Sequence, residues 1–120
     1  MSSGTVSHNV GTELLFENDR VLVWDMTLEP GQSSELHQHL NDYVFAYVTP
    51  TLLESRAPGR GPQTRTFEDG YVQFNVVGKD GMTHQVTNVG DRTHRQILVE
   101  LIGPSASEET QEPQTNGRLL

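Results

Sequence analysis

The sequence predicts an all-β domain, rolled into a barrel or jelly roll. Short runs of alternating or β-branched residues recur between turn-formers. No stretch holds a 3.6-residue period for three turns. Apolar residues reach only 33%, while 11 Gly and 6 Pro are spread through 120 residues. Eight or nine strands at roughly even spacing suit a closed or rolled sheet.

The elements follow in order. Arg20 to Leu28 alternates, with Leu22, Trp24, Met26 and Leu28 on one face and Val21, Val23, Asp25 and Thr27 on the other. Pro30-Gly31 ends it. Glu35 to His39 is a short strand. Asp42 to Thr49 is aromatic and β-branched, and Pro50 stops it. Thr51 to Ser55 and Gln63 to Phe67 flank the loop Ala57-Pro58-Gly59-Arg60-Gly61-Pro62. Glu68-Asp69-Gly70 turns into Tyr71 to Val77, and Gly78-Lys79-Asp80-Gly81 turns into Met82 to Thr87. Asn88-Val89-Gly90-Asp91 leads to a strongly apolar last strand, Arg95 to Ile102. Residues 1–10 read as a flexible N-terminal segment, 11–103 as the barrel domain and 104–120 as a flexible acidic C-terminal tail.

Charge and composition exclude several functions. Eight basic residues against sixteen acidic give a net charge of −8, with no Lys/Arg cluster, so neither nucleic acid nor an anionic membrane surface is an expected partner. No apolar run has the length of a membrane-spanning helix. No secretory signal is visible, which favours the cytoplasm. With no cysteine there are no disulfides, no Cys-ligated zinc, no iron–sulfur cluster and no thiol nucleophile. The serine-nucleophile elbow, the phosphate-cradling Gly loop and the His-Glu-x-x-His signature are absent as well.

Histidines supply the chemistry. In His37-Gln38-His39, residues two apart on a strand share a face about 6–7 Å apart along it, so their imidazoles can converge on one ion. A third histidine, His84, follows a Gly turn in Gly81-Met82-Thr83-His84, and Asn88 closes that segment. His94 reads as a surface residue and His8 as part of the N-terminal segment. Tyr43, Phe45 and Tyr47 share one phase and form an aromatic wall. Trp24, Met26, Leu28, Phe74 and Val76 read as core or interface. Gln96 and Glu100 are in phase on the last strand and within reach of a cavity.

The spacing Gly31-(five residues)-His37-Gln38-His39 resembles the opening of the first cupin motif, and Gly81-x-x-His84-x-x-x-Asn88 resembles the close of the second. The flanking text, including Leu28-Glu29-Pro30-Gly31 and Asn88-Val89-Gly90-Asp91, is similar to small single-domain cupins over about residues 12–102. The resemblance implies a double-stranded β-helix with a metal inside, held by His37, His39 and His84. The family's usual fourth ligand, a Glu three or four residues after the second His, is missing: Tyr43 and Val44 stand there. The closing Gly of the first motif is also absent, and Lys79 replaces the usual Pro of the second.

Glu35, two residues before His37, and Asp42 are candidates for the fourth ligand or else solvated carboxylates. Three imidazoles with open positions suit Fe(II), and Zn, Ni, Mn or Cu would also fit. Tyr43, in the vacated position, is the candidate catalytic residue, placed to donate a proton or a hydrogen bond. The expected function is a metal-dependent cupin enzyme, an Fe(II) dioxygenase-type oxidoreductase on a small organic substrate. The alternatives are a redox-neutral cupin (isomerase, cyclase, decarboxylase or lyase) and a non-catalytic small-ligand-binding barrel. A homodimer is expected, because a short barrel leaves sheet edges to cover.

Overall fold

The alternation of Arg20 to Leu28 builds an inner strand of the larger of two sheets. A computed structural model describes residues 6–65 and 68–103. Among these there is no helix. Nine strands occur: β1 (Glu13–Glu17), β2 (Val21–Leu28), β3 (His37–His39), β4 (Tyr43–Thr49), β5 (Leu53–Arg56), β6 (Gln63–Arg65), β7 (Val72–Asn75), β8 (Met82–Asn88) and β9 (His94–Leu101). They form two antiparallel sheets, ordered β1-β2-β9-β4-β7 and β3-β8-β5-β6. The expected tail 104–120, residues 1–5 and the expected strand end at 66–67 lie outside the described residues.

Register fixes which side chains face the interior. Leu22, Trp24, Met26 and Leu28 of β2 stand opposite Glu100, Leu98, Gln96 and His94 of β9, respectively. Tyr43, Phe45 and Tyr47 of β4 stand opposite Glu100, Leu98 and Gln96 from the other side. Residues directly opposite on paired strands point to the same face, so this is one inward surface. Leu53 and Val86 close the core from the second sheet, with Val10 and Val77.

Two glycines make the connections possible. Gly31 has φ +85° in the turn closed by Gln32 N–H donating to Glu29 O at 2.9 Å, with Pro30 before it. Gly81 has φ +80°, and a Cβ there would lie 2.8 Å from Gln38 Nε2 and 3.1 Å from the His39 carbonyl oxygen. A side chain at 81 would therefore be strained in the backbone and would push on the histidine strand.

Four expectations need correction. β1 was not among the predicted strands; its Glu-Leu-Leu-Phe-Glu run lacks alternation because all five residues are exposed on a sheet edge. The segment 6–10 is not loose. Ser7 bridges His37, Gln38 N–H donates to Ser7 O at 2.8 Å, and Val10 is 1% exposed. β3 is three residues long, and the segment satisfies backbone groups along its open edge. His8 Nδ1 lies 3.3 Å from Gln38 O. His94 is not a surface residue: it begins β9 in phase with Leu98 and is fully buried. The Thr51 N–H donates to its Nδ1 at 3.3 Å and its Nε2–H donates to Gln96 Oε1 at 2.7 Å, so one neutral tautomer satisfies both nitrogens. Val76, expected in the core or at an interface, is half-exposed and so is not core.

Candidate metal centre

β3 and β8 bring the three histidines together by pairing. His37 sits directly opposite His84, and His39 opposite Met82. His37 and His39 share a face by strand period, and His84 joins that face by register. The result is a cluster in which one nitrogen from each ring lies within 4.8 Å of the others. Ring centroids are 4.9 Å apart for His37–His39, 4.7 Å for His37–His84 and 5.1 Å for His39–His84.

The donor atoms fit a metal ion. His39 Nε2 and His84 Nε2 are 3.2 Å apart. Two nitrogens each ~2.1 Å from one ion, at an angle of about 100°, would be separated by about 3.2 Å. His37 Nδ1–H donates to the Glu35 carbonyl at 2.8 Å, and His84 Nδ1 lies 3.2 Å from Ser55 Oγ. With Nδ1 protonated and held in this way, Nε2 of both rings keeps its lone pair for a ligand bond. His39 Nδ1 is buried without a partner.

The rings are neutral. Desolvation by burial lowers all three: His39 to about 2, His84 to about 4, and His37 by direction, each from an ordinary value of 6.5. Mutual repulsion adds to this for His39, and repulsion from His37 adds to it for His84. For His37 the Glu35 carbonyl bond opposes the shift. Neutral imidazole is the ligating form, so no proton need leave before an ion enters at pH 7.

Neither carboxylate candidate joins the cluster. Glu35 precedes the strand, since β3 begins at His37, and its side chain is exposed; its carbonyl accepts from His37, and its carboxylate acts on that ring through charge rather than as a member of the cluster. Asp42 is 4% exposed, not solvated. Its Oδ1 accepts the Val77 N–H at 2.8 Å and its carbonyl accepts Leu101 N–H at 2.8 Å, so it ties the start of β4 to β7 and β9. Glu100 is buried too, and accepts Trp24 Nε1–H at 2.7 Å and Asn41 Nδ2–H at 3.3 Å. Among the described residues, the metal-ligating group therefore contains imidazoles alone.

Tyr43 lies against the cluster. Its ring stacks on His39 at 4.1 Å with 12° between planes, and it is 3% exposed. Burial pushes its phenol up to about 12; a hydrogen bond to Asn75 opposes the shift. Phe45 and Tyr47 continue the expected aromatic wall, their centroids 5.3 Å apart. The wall and the histidines line a cavity of about 510 Å³, which Gln96 also reaches. That volume is within the range of small-molecule sites. Asn88, the last residue of the second motif, is fully buried and structural: its Nδ2 donates to Leu28 O and Arg92 O, both at 2.8 Å.

Comparison with known structures decides the fold of this barrel. A cupin domain from Bordetella pertussis Tohama I superposes with a TM-score of 0.65 at 25% identity, covering 82% of this chain and 98% of that one. The chain has the cupin fold. A second cupin, an RmlC-like protein with a double-stranded beta-helix fold from Methanocaldococcus jannaschii, matches at 11% identity and a TM-score of 0.60, over 75% of this chain and 77% of that one. Among curated proteins, auxin-binding protein T85 of Nicotiana tabacum is 26% identical over 110 residues. That match covers 85% of this chain but 56% of the tobacco protein, so the chain spans little more than half of that relative's length. No protein-family model matches the chain. No helix among the described residues is long and apolar enough to cross a membrane.

Sequence reasoning missed two cavity-lining cations, Arg60 and Arg65. The first sits in a Gly/Pro loop, where strand phase gives no direction. The second lies on a three-residue strand whose inward face is set by its pairing with Leu53.

Proposed function

We propose that this cupin is a metal-dependent enzyme acting on a small organic substrate in the cavity, and specifically an Fe(II) dioxygenase-type oxidoreductase. The observation that carries the reading is the convergence of three neutral imidazoles at a cavity wall with no carboxylate in the set. A divalent ion held by His37, His39 and His84 would supply Lewis acidity, redox capacity in the case of iron, and coordination positions left open by a three-nitrogen face. Zn, Ni, Mn and Cu fit the same donors.

The remaining chemistry belongs to the chain. Ser55 and the Glu35 carbonyl orient two of the rings. Tyr43 keeps its proton at neutral pH and holds the hydroxyl beside Asn75, so it can donate a hydrogen bond or a proton to a substrate oxygen. The aromatic wall excludes water from one side of the cavity and favours an apolar substrate body.

A redox-neutral reaction, such as an isomerisation or lyase step, is supported by the persistently protonated Tyr43, which suits a hydrogen-bond donor to a substrate oxygen that gains negative charge. Ligand binding without turnover is supported by the name of the tobacco relative, an auxin-binding protein. Elemental analysis of protein purified without added metal, joined to an oxygen electrode, separates the three. Stoichiometric iron with substrate-dependent oxygen uptake is expected. Bound metal with turnover but no oxygen uptake would replace the oxidative reading by the redox-neutral one, and absence of any bound metal would overturn both.

We also propose a homodimer. β1 is an edge strand, and Leu14, Leu15 and Phe16 on it are 41%, 48% and 54% exposed. An uncovered apolar edge of this kind is a pairing surface.

A further inference from the structure

The cavity has a charge composition unlike that of the molecule. The chain carries sixteen acidic residues against eight Lys and Arg. Yet among the described residues the cavity wall holds two arginines, Arg60 and Arg65, and no Asp or Glu. Of the other described arginines, Arg95 Nε lies 2.6 Å from Asp25 Oδ1 and Arg56 Nε lies 3.0 Å from Glu54 Oε1, while Arg20 and Arg92 form no ion pair. Among the described residues, Arg60 and Arg65 have no such carboxylate partner.

Their placement follows from the strands. Arg65 is directly opposite Leu53, and Gln63 opposite Ser55. Leu53 is buried in the core and Ser55 meets His84, so this face of β6 lines the same cavity as the metal centre, with Arg65 and Arg60 both solvent-exposed at its wall. Arg65 is near enough to act electrostatically on Tyr43, Tyr47 and His84, each chiefly shifted by burial. Arg60 comes from the loop between β5 and β6, turned by its own N–H donating to Ala57 O at 3.0 Å. Across the cavity stands the apolar wall of Tyr43, Phe45 and Tyr47.

We infer that Arg60 and Arg65 form the anion-recognition end of this cavity, and that its ligand is a small carboxylate carried on an apolar or aromatic body. A guanidinium offers paired N–H donors that match a carboxylate, and it keeps its charge at any working pH. A net-negative protein repels anions at long range, so two cations in an acid-free pocket select for an anion that has already entered. The inference deepens the enzymatic reading, and rests on it for taking this cavity as the working site. Binding by the arginines does not itself require the metal.

Benzoate, its neutral counterpart benzamide, and phenyl phosphate serve as probes, with binding read by titration calorimetry or ligand-observed NMR. They are applied to wild type, Arg65→Gln, Arg65→Lys and Arg60→Gln, with Zn²⁺ stoichiometry measured on the same samples. Wild type should prefer benzoate over benzamide by about tenfold or more, the scale of a charge-assisted pair. Arg65→Gln should lose that preference with benzamide binding and Zn²⁺ stoichiometry unchanged. Arg65→Lys should recover part of it, and Arg60→Gln should lower it.

Equal binding of benzoate and benzamide by wild type would overturn the inference. So would a preference that survives Arg65→Gln combined with Arg60→Gln, or a stronger Arg65-dependent preference for phenyl phosphate than for benzoate. One-to-one Zn²⁺ binding without benzoate preference would sink this inference and leave the metal site standing. Arginine-dependent benzoate preference in a protein that binds no metal would do the reverse.

Discussion

Removing His84 should abolish most metal-linked stabilisation while leaving the barrel folded. Three ligand nitrogens lie within 4.8 Å of one another, and His84→Ala leaves two, both on β3. At free metal one hundred times its dissociation constant, wild type gains about 2.7 kcal/mol over the metal-free form. Altering a group that only orients a ligand costs about 10–100-fold in metal affinity, so losing a ligand should cost at least about 100-fold. The variant at the same metal concentration then sits near half-saturation, where the gain is about 0.4 kcal/mol. The difference, about 2.3 kcal/mol, corresponds to roughly 9–18 °C in melting temperature for a domain near 100 residues. Differential scanning calorimetry with chelator and with metal measures both increments. An equal metal-induced rise in wild type and His84→Ala would refute the ligand assignment. A variant unfolded in chelator would be replaced by His84→Gln, which keeps bulk and polarity in the same place.

Ser55→Ala removes the hydroxyl 3.2 Å from His84 Nδ1, and metal affinity should fall about 10–100-fold with melting in chelator nearly unchanged; unchanged affinity by competition titration would show that the hydroxyl does not orient the ring. The metal-free barrel should lose stability as pH falls below 6.5 toward about 4. His39 and His84 stay neutral in the folded state while the unfolded chain takes up protons, at a cost of order 1 kcal/mol per pH unit for each imidazole so held. Urea midpoints in chelator should therefore show a shallower acid slope for His84→Ala than for wild type, and identical slopes would contradict the buried neutral state. Light scattering at micromolar concentration should give twice 13.4 kDa, and Phe16→Glu should return the mass toward 13.4 kDa; a wild-type monomer would refute the pairing of β1 edges.

Much of the barrel and its centre was legible because both obey strand period. His37 and His39 are two apart, and the Gly81 turn aims β8 so that His84 meets them in register. Tyr43, Phe45 and Tyr47 fell on one face for the same reason. What period does not carry, the sequence did not reveal. The run Glu13 to Glu17 has no alternation, because an edge strand exposed throughout has no inside. His94 was assigned by its polar neighbours Arg92, Thr93 and Arg95, although its phase with Gln96 and Leu98 pointed inward. Asp42 was weighed as a solvated carboxylate or a ligand, and serves instead as an acceptor for backbone N–H. No local pattern announces a carboxylate whose partner lies thirty-five residues away. Arg60 and Arg65 depend on how a loop folds back over β5, which is a tertiary outcome.

The latch formed by Ser7 on β3 carries a practical consequence. Two of the three imidazoles ride on a strand only three residues long, and part of its backbone is pinned by the start of the chain. An affinity tag placed close to that end, or trimming past residue 7 to tidy a crystal, would tug on the very peptide that aims those rings. Weak metal loading in such a preparation would then report on the cloning rather than on the protein.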